Sequence, residues 1–149
     1  WQAGGGFQRQ DLVILAARPS MGKTSLVLNI AQYVALQPEH LVGVFSLEMS
    51  KESLFLRLLT SEAQIDGHRL MSGAIGQKDY SRISHALETL SVMRLFIDDS
   101  SNVGVLEMRA KARRLMSEHG LSLIVVDYIQ LMRSGSRKYD GKPFRFDNK

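Results

Sequence analysis

The sequence predicts an α/β fold: three layers, with a mostly parallel central sheet between helices. Three observations carry that expectation. A short apolar run at 12–17 leads through a tight loop into a helix-patterned segment. Further apolar runs at 41–46, 94–97 and 121–126 alternate with segments whose apolar residues recur every three or four positions. Each of these later runs stops at polar or acidic residues, and such alternation is the pattern of a parallel sheet with crossover helices.

Taken in order, Gly4-Gly5-Gly6 reads as a lead-in, and residues 7–11 as a turn into the first strand. Residues 12–17 are rich in Val, Ile and Leu, which suits a strand covered on both faces. The following helix opens at Gly22 and ends near Leu36, before Pro38. Its Leu26, Val27, Ile30, Ala31 and Val34 are expected to face the sheet. Residues 41–46 form the second strand, with Glu48 just past its end. Ser50 is an N-cap for a helix over 51–63 that buries Leu54, Leu56, Leu58 and Leu59 and turns Arg57 outward.

Residues 64–76 are polar and glycine-punctuated, a connection with one short helical turn. A helix follows over 77–90, with Tyr80, Ile83, Ala86, Leu87 and Leu90 on one side. The third strand, 94–97, runs into Asp98, Asp99, Ser100, Ser101 and Asn102, residue types that cap helices, here the helix at 103–119. Gly120 stands at its C-terminal glycine position. The fourth strand, 121–126, is closed by Asp127.

At 149 residues the chain has room for one domain. Hydrophobic content of 44% and charge of 23% are ordinary for a soluble protein, and no apolar run approaches the roughly 20 residues of a membrane helix. The start lacks both a signal-peptide pattern and an initiator methionine, so the chain is expected to be a piece of something longer, in the cytoplasm. With no cysteine there is no disulfide scaffold and no thiolate metal site. His40, His68, His85 and His119 are scattered without ligand spacing. A net charge of +4 suits a polyanionic partner and equally a solvated basic surface.

The chemistry concentrates in the loop Ala17-Arg18-Pro19-Ser20-Met21-Gly22-Lys23-Thr24-Ser25. Between a strand and a helix, such a loop wraps backbone N–H groups around an anion at the positive end of the helix. Gly22 lets the backbone approach phosphates, Lys23 reaches the outer ones, and the Thr24 hydroxyl ligates Mg²⁺. The strict GxxxxGK[ST] pattern asks for glycine where this chain has Ala17; Pro19 fixes one φ in its stead. Asp127, after four apolar strand residues, fits the Walker B arrangement of P-loop folds, in which the acid holds the Mg²⁺ shell, or simply ends a strand as acids often do. Glu48 at a strand's C-terminal edge is placed to polarise an attacking water, or is a solvated loop residue. Gln130 either senses the nucleotide or simply ends a strand. Arg109, Lys111, Arg113 and Arg114 make a basic helix face that a wet surface explains as well as a ligand does.

Five stretches then look familiar together: Gly5-Gly-Phe-Gln-Arg9, Leu15-Ala-Ala-Arg-Pro-Ser-Met-Gly-Lys-Thr24, Phe45-Ser-Leu-Glu-Met-Ser50, Arg109-Ala-Lys-Ala-Arg-Arg114 and Leu123-Ile-Val-Val-Asp-Tyr-Ile-Gln-Leu131. They resemble the C-terminal motor domain of DnaB-type replicative DNA helicases, and the similarity runs from Gly5 to about Arg137. The resemblance implies a RecA-like P-loop fold, Mg²⁺-dependent ATP hydrolysis, and a homo-hexameric ring that moves along single-stranded DNA and separates the duplex. It implies primase and a helicase loader as partners of the whole protein, and no membrane. By position, Lys23 and Thr24 serve the phosphates and metal, Glu48 matches the catalytic glutamate and Asp127 the Walker B acid. Alanine at position 17 is common in the family; Gln10 stands where many members have a turn glycine.

Past Asp127 the pattern jumps. Near 136–138 the chain passes into Tyr139-Asp-Gly-Lys-Pro-Phe-Arg-Phe-Asp-Asn148, which resembles the family's final strand. The expected organisation is therefore the first half of an ATPase core at 1–137 with a closing-strand tail at 138–149, the middle of the second half missing, as in a spliced or partial record. In the RecA-like sheets that the resemblance implies, one of the absent strands lies between those at 12–17 and 121–126, and its absence would leave two edges without partners. Two other readings stay open: a RecA-like ATPase of recombination, repair or switch type, and a non-catalytic nucleotide-binding remnant.

Overall fold

The structure, a computed structural model, describes residues 6–18, 20–101 and 103–127. Its elements run α1 (Lys23–Ala35), β1 (Leu41–Ser46), α2 (Lys51–Ala63), α3 (Gly67–Met71), α4 (Gln77–Ser91), β2 (Leu95–Asp98), α5 (Val105–His119) and β3 (Leu121–Asp127). The three strands form a parallel sheet in the order β2-β1-β3. The central strand β1 is buried along its whole length. Its alternate residues serve opposite faces. Val42 and Val44 enter the main core, with Leu28, Ala31 and Ala35 of α1, Leu54, Leu58 and Leu59 of α2, and Ala86 and Leu90 of α4. Leu41 and Phe45 point the other way, to Leu115 and Met108 of α5 respectively. Helices thus cover both faces, as the α/β expectation required.

The strand expected at 12–17 is not there. Leu12 is 85% exposed and Ile14 75%, and the segment forms no ladder. A parallel strand exists only where an edge accepts it. Both edges of β1 are taken, and among the described residues nothing pairs with the outer edge of β3. Among the described residues the sheet has three strands, where the sequence predicts four.

Two helix faces also shift. α1 buries Leu28, Ala31, Gln32 and Ala35, while Leu26 is exposed. α4 buries Asp79 beside Ala86 and Leu90, and leaves Tyr80 and Leu87 outside. Asp79 accepts from the Gly76 N–H (2.9 Å) and from Arg69 (3.0 Å). Those backbone and guanidinium donors outweigh desolvation and hold its carboxyl below the usual carboxylate range.

Asp98 and Asp99 do not cap α5, whose N-cap is Gly104 without a side-chain bond. Asp98 accepts from the Ser100 N–H (3.0 Å) and from Lys111 (2.6 Å), while Asp99 accepts from the Lys51 N–H at the start of α2 (3.0 Å). Strand parity explains the split. Asp98 ends β2 one residue after Ile97, which packs in the main core, so it faces α5 instead.

Candidate functional site

A single irregularity in β3 sets the site. Leu41 pairs with Leu121 but Val42 pairs with Leu123, so Ser122 is an extra residue in the ladder. Its side chain is exposed, with the hydroxyl 3.0 Å from Nδ1 of His40. The insertion changes the parity of everything after it. Leu121 lies with α5, whereas Leu123 and Val125 pack in the main core beside α1. Asp127, two residues on, thus falls on the α1 face.

There it meets the loop residues. Thr24 Oγ1 donates to Asp127 Oδ2 at 2.7 Å, and Lys23 Nζ lies 3.2 Å from Asp127 Oδ1. Asp127 is only 7% exposed. A buried carboxylate needs hydrogen-bonding partners, and here each oxygen has one. The loop before them turns on two left-handed residues, Ser20 (φ 65°) and Gly22 (φ 78°), with the Met21 N–H donating to the Arg18 carbonyl at 3.3 Å. No atom lies within 4 Å of a Cβ built on Gly22, so backbone conformation rather than crowding asks for glycine. α1 carries no acidic residue in its first turn and no side-chain cap, which leaves its positive end turned to the loop.

Glu48 reaches the same rim. Ser46 pairs with Asp127 in register, and the Leu47 N–H donates to the Asp127 carbonyl at 2.8 Å. Glu48 follows, exposed at the crest of the link between β1 and α2. The link is held at both ends. Ser46 Oγ donates to the Met49 carbonyl (2.7 Å) and accepts from the Met49 N–H (3.2 Å). Ser50 caps α2 by accepting from the Ser53 N–H (3.2 Å), and Asp99 takes the Lys51 N–H.

The structure therefore brings Lys23, Thr24 and Asp127 into contact at the C-terminal end of β3, and sets Glu48 two residues past Ser46, the β1 partner of Asp127. Ala17, Arg18, Ser20, Met21 and Ser25 are exposed in and beside the loop. Pro19 and Gln130 lie outside the described residues, as do Asn102 and the tail at 138–149. The basic face of α5 is partly spent. Lys111 pairs with Asp98 (2.6 Å) and Glu107 (2.9 Å), and Arg114 with Glu118 (2.9 Å), while Arg109 and Arg113 are exposed.

Burial pushes the Asp98 carboxyl up, but its hydrogen bonds from Lys111 and Ser100 prevail and lower it. The same bond to Asp98, with that to Glu107, raises Lys111. Sequence reasoning missed Ser46 and Asp99 as parts of this rim. Ser46 closes a strand and carries no separate signal; Asp99 gave one, a helix-capping acid, but for a helix 48 residues earlier in the chain.

The donor set bears on the metal. No group of three or more His, Cys, Asp or Glu side chains could hold an ion among the described residues. What is present is one hydroxyl and one carboxylate in mutual contact. That sparse oxygen pair fits Mg²⁺, which keeps most of its waters and leans on substrate phosphates. An apolar cleft of about 670 Å³, lined by Phe55, Leu56, Leu59, Met71, Leu95 and Ile97 among others, lies elsewhere, between α2 and β2.

Residues 2–143 match the DnaB-like helicase C terminal domain family. Replicative DNA helicase DnaB of Nostoc sp. (strain PCC 7120 / SAG 25.82 / UTEX 2576) is 54% identical over 132 residues, 87% of this chain and 15% of that protein. Two solved structures superpose with a TM-score of 0.75 at 25% identity over 83% of this chain: a DnaB-like replicative helicase described with its interactions with primase, and a second chain described as an ATPase domain. This chain spans 30% of the first and 44% of the second. The family match covers nearly the whole sequence, and the chain belongs to the DnaB-like helicase C-terminal domain family.

Proposed function

We propose that this member of the DnaB-like helicase C-terminal domain family is the ATPase motor of a replicative DNA helicase, hydrolysing Mg-ATP to drive 5′-to-3′ movement on single-stranded DNA and duplex unwinding. The observation that carries the reading is the meeting of Lys23 and Thr24 with Asp127 beside the rim that bears Glu48. In this reading Lys23 leaves Asp127 for the β- and γ-phosphates, against which the loop backbone and the α1 N-terminus close. Thr24 and Asp127 hold the Mg²⁺ shell, and the ion when bound neutralises charge on the phosphate oxygens. Glu48 orients the attacking water and takes its proton. Exposure suits that task, since the water must arrive from solvent.

The working form is a homo-hexamer that encloses single-stranded DNA, with primase and a helicase loader as partners. A solved relative described with its interactions with primase supports the first of these partners. The family resemblance supports the loader.

Glu48→Gln tests the reading. ATP turnover is expected to fall by about 10²–10⁴-fold, while the affinity for a fluorescent ATP analogue stays within a few-fold. Turnover that survives the substitution overturns the assignment of Glu48 and the hydrolytic reading built on it.

A further inference from the structure

We propose that Ser46 and Asp99 are positioning residues for Glu48, an inference that rests on the ATPase reading. A carboxylate that orients a water must be held to a fraction of an ångström, and a misplacement of about 1 Å costs on the order of 10²-fold in rate. Glu48 is exposed, so burial does little to fix its side chain. Its fixity comes from the ends of its loop.

Ser46 is 2% exposed, so no solvent replaces its hydroxyl. That one group spans both polar atoms of the Met49 backbone, donating to the carbonyl at 2.7 Å and accepting from the N–H at 3.2 Å. It fastens the last residue of β1 directly across Glu48 to the residue behind it. The sheet fixes Ser46 in turn, through its register with Asp127.

Asp99 secures the far end. Its carboxylate takes the Lys51 N–H at 3.0 Å, one of the helix-start donors that has no partner within its own helix. α2 already has a cap in Ser50, whose hydroxyl accepts from Ser53. The N-cap of α2 is therefore supplied without Asp99. What Asp99 adds is a tie from the end of β2 to the end of the Glu48 loop. The tie is anchored by its neighbour Asp98, held by Lys111 and by the Ser100 N–H. Both residues act on Glu48 through the backbone and touch no substrate.

The experiment is steady-state ATP turnover of the full chain with Ser46→Ala, Asp99→Ala and Asp99→Asn, each alone and in the Glu48→Gln background. Ser46→Ala is expected to lower kcat about 10- to 100-fold with KM within about twofold. Asp99→Ala falls less, and Asp99→Asn, which keeps an acceptor oxygen, recovers most of the loss. In the Glu48→Gln background neither substitution lowers the residual rate further, because nothing remains to be positioned. Faster amide exchange at Met49 in Ser46→Ala, without faster exchange in β1, places the effect in the loop.

Unchanged kcat in both alanine variants overturns the proposal. So does a loss shared equally between kcat and KM, or a full additive loss on top of Glu48→Gln. Wild-type turnover in Glu48→Gln itself is a different failure: it removes the ATPase role of Glu48, and with it any need for these ties.

Discussion

Residues 12–17 and the strand β1 are nearly the same kind of sequence, short apolar runs of Val, Leu and their like, and they meet opposite fates. β1 is buried throughout and paired on both sides. The earlier run lies in the open, with Leu12, Val13 and Ile14 all exposed. The difference is not propensity. β1 has two partners whose edges fit, and β2 and β3 are each tied to it by helices on the faces above and below. The run at 12–17 pairs with no strand, although the outer edge of β3 is open among the described residues. Apolar character makes a strand possible; pairing with a neighbour and burial between helices make it real.

The largest test of that contrast is a pair of truncations. Phe45→Ala empties a side chain that is 0% exposed and is expected to destabilise by about 3–5 kcal/mol in urea unfolding. Ile14→Ala, cut from a side chain that is 75% exposed, is expected to change stability by less than about 0.5 kcal/mol. Equal losses would mean that the strip at 12–17 is packed in solution and that the contrast is false.

A smaller test probes the far edge of the sheet. Lys111→Met removes the cation from Asp98, and is expected to cost about 1–3 kcal/mol near neutral pH. The pH dependence sharpens it. The Asp98 carboxyl is lowered in the fold, so its contribution is present above the ordinary carboxylate value and is lost as pH falls through the lowered one. Lys111 is raised, so its contribution is present below the ordinary lysine value and is lost as pH rises through the raised one. The gap between parent and Lys111→Met should therefore be flat from about pH 5 to pH 9 and narrow on both sides. A gap that changes across neutrality would show that another group carries the interaction.

The smallest effect lies just before the exposed strip. Gln10 sits at φ 73° in the turn where the Asp11 N–H donates to the Gln8 carbonyl at 3.2 Å. A left-handed glutamine is strained, and Gln10→Gly is expected to stabilise by about 0.5 kcal/mol in thermal unfolding. A loss of stability would show that the glutamine side chain does more there than the turn suggests. The position is the one where a turn glycine was expected from the family pattern, and the backbone still makes the turn that glycine would favour.

Part of the candidate site's geometry is legible in the sequence. Lys23, Thr24 and Asp127 stood out by type and spacing, and they meet in space. Glu48 stands out by its place after a strand, and it follows two residues after Ser46, the partner of Asp127. Ser46 and Asp99 were not legible in that role, because what matters about them is which backbone group each one faces. The caps assigned to Asp98 and Asp99 failed for a related reason. A capping acid announces that it will bind an N–H, not whose.

The sequence by itself determined the local pieces: where helices start, which runs are apolar enough to be buried, and which side chains are suited to phosphate and metal. These follow from backbone geometry and from periodicity within a few residues. The tertiary structure alone decided which apolar run is a strand. It also decided that the extra residue at Ser122 turns Asp127 toward α1, and that Asp99 closes the start of a helix 48 residues earlier. Pairing, parity and the company of a buried charge depend on contacts as distant as the 103 residues between Thr24 and Asp127. No local pattern encodes a partner that far away.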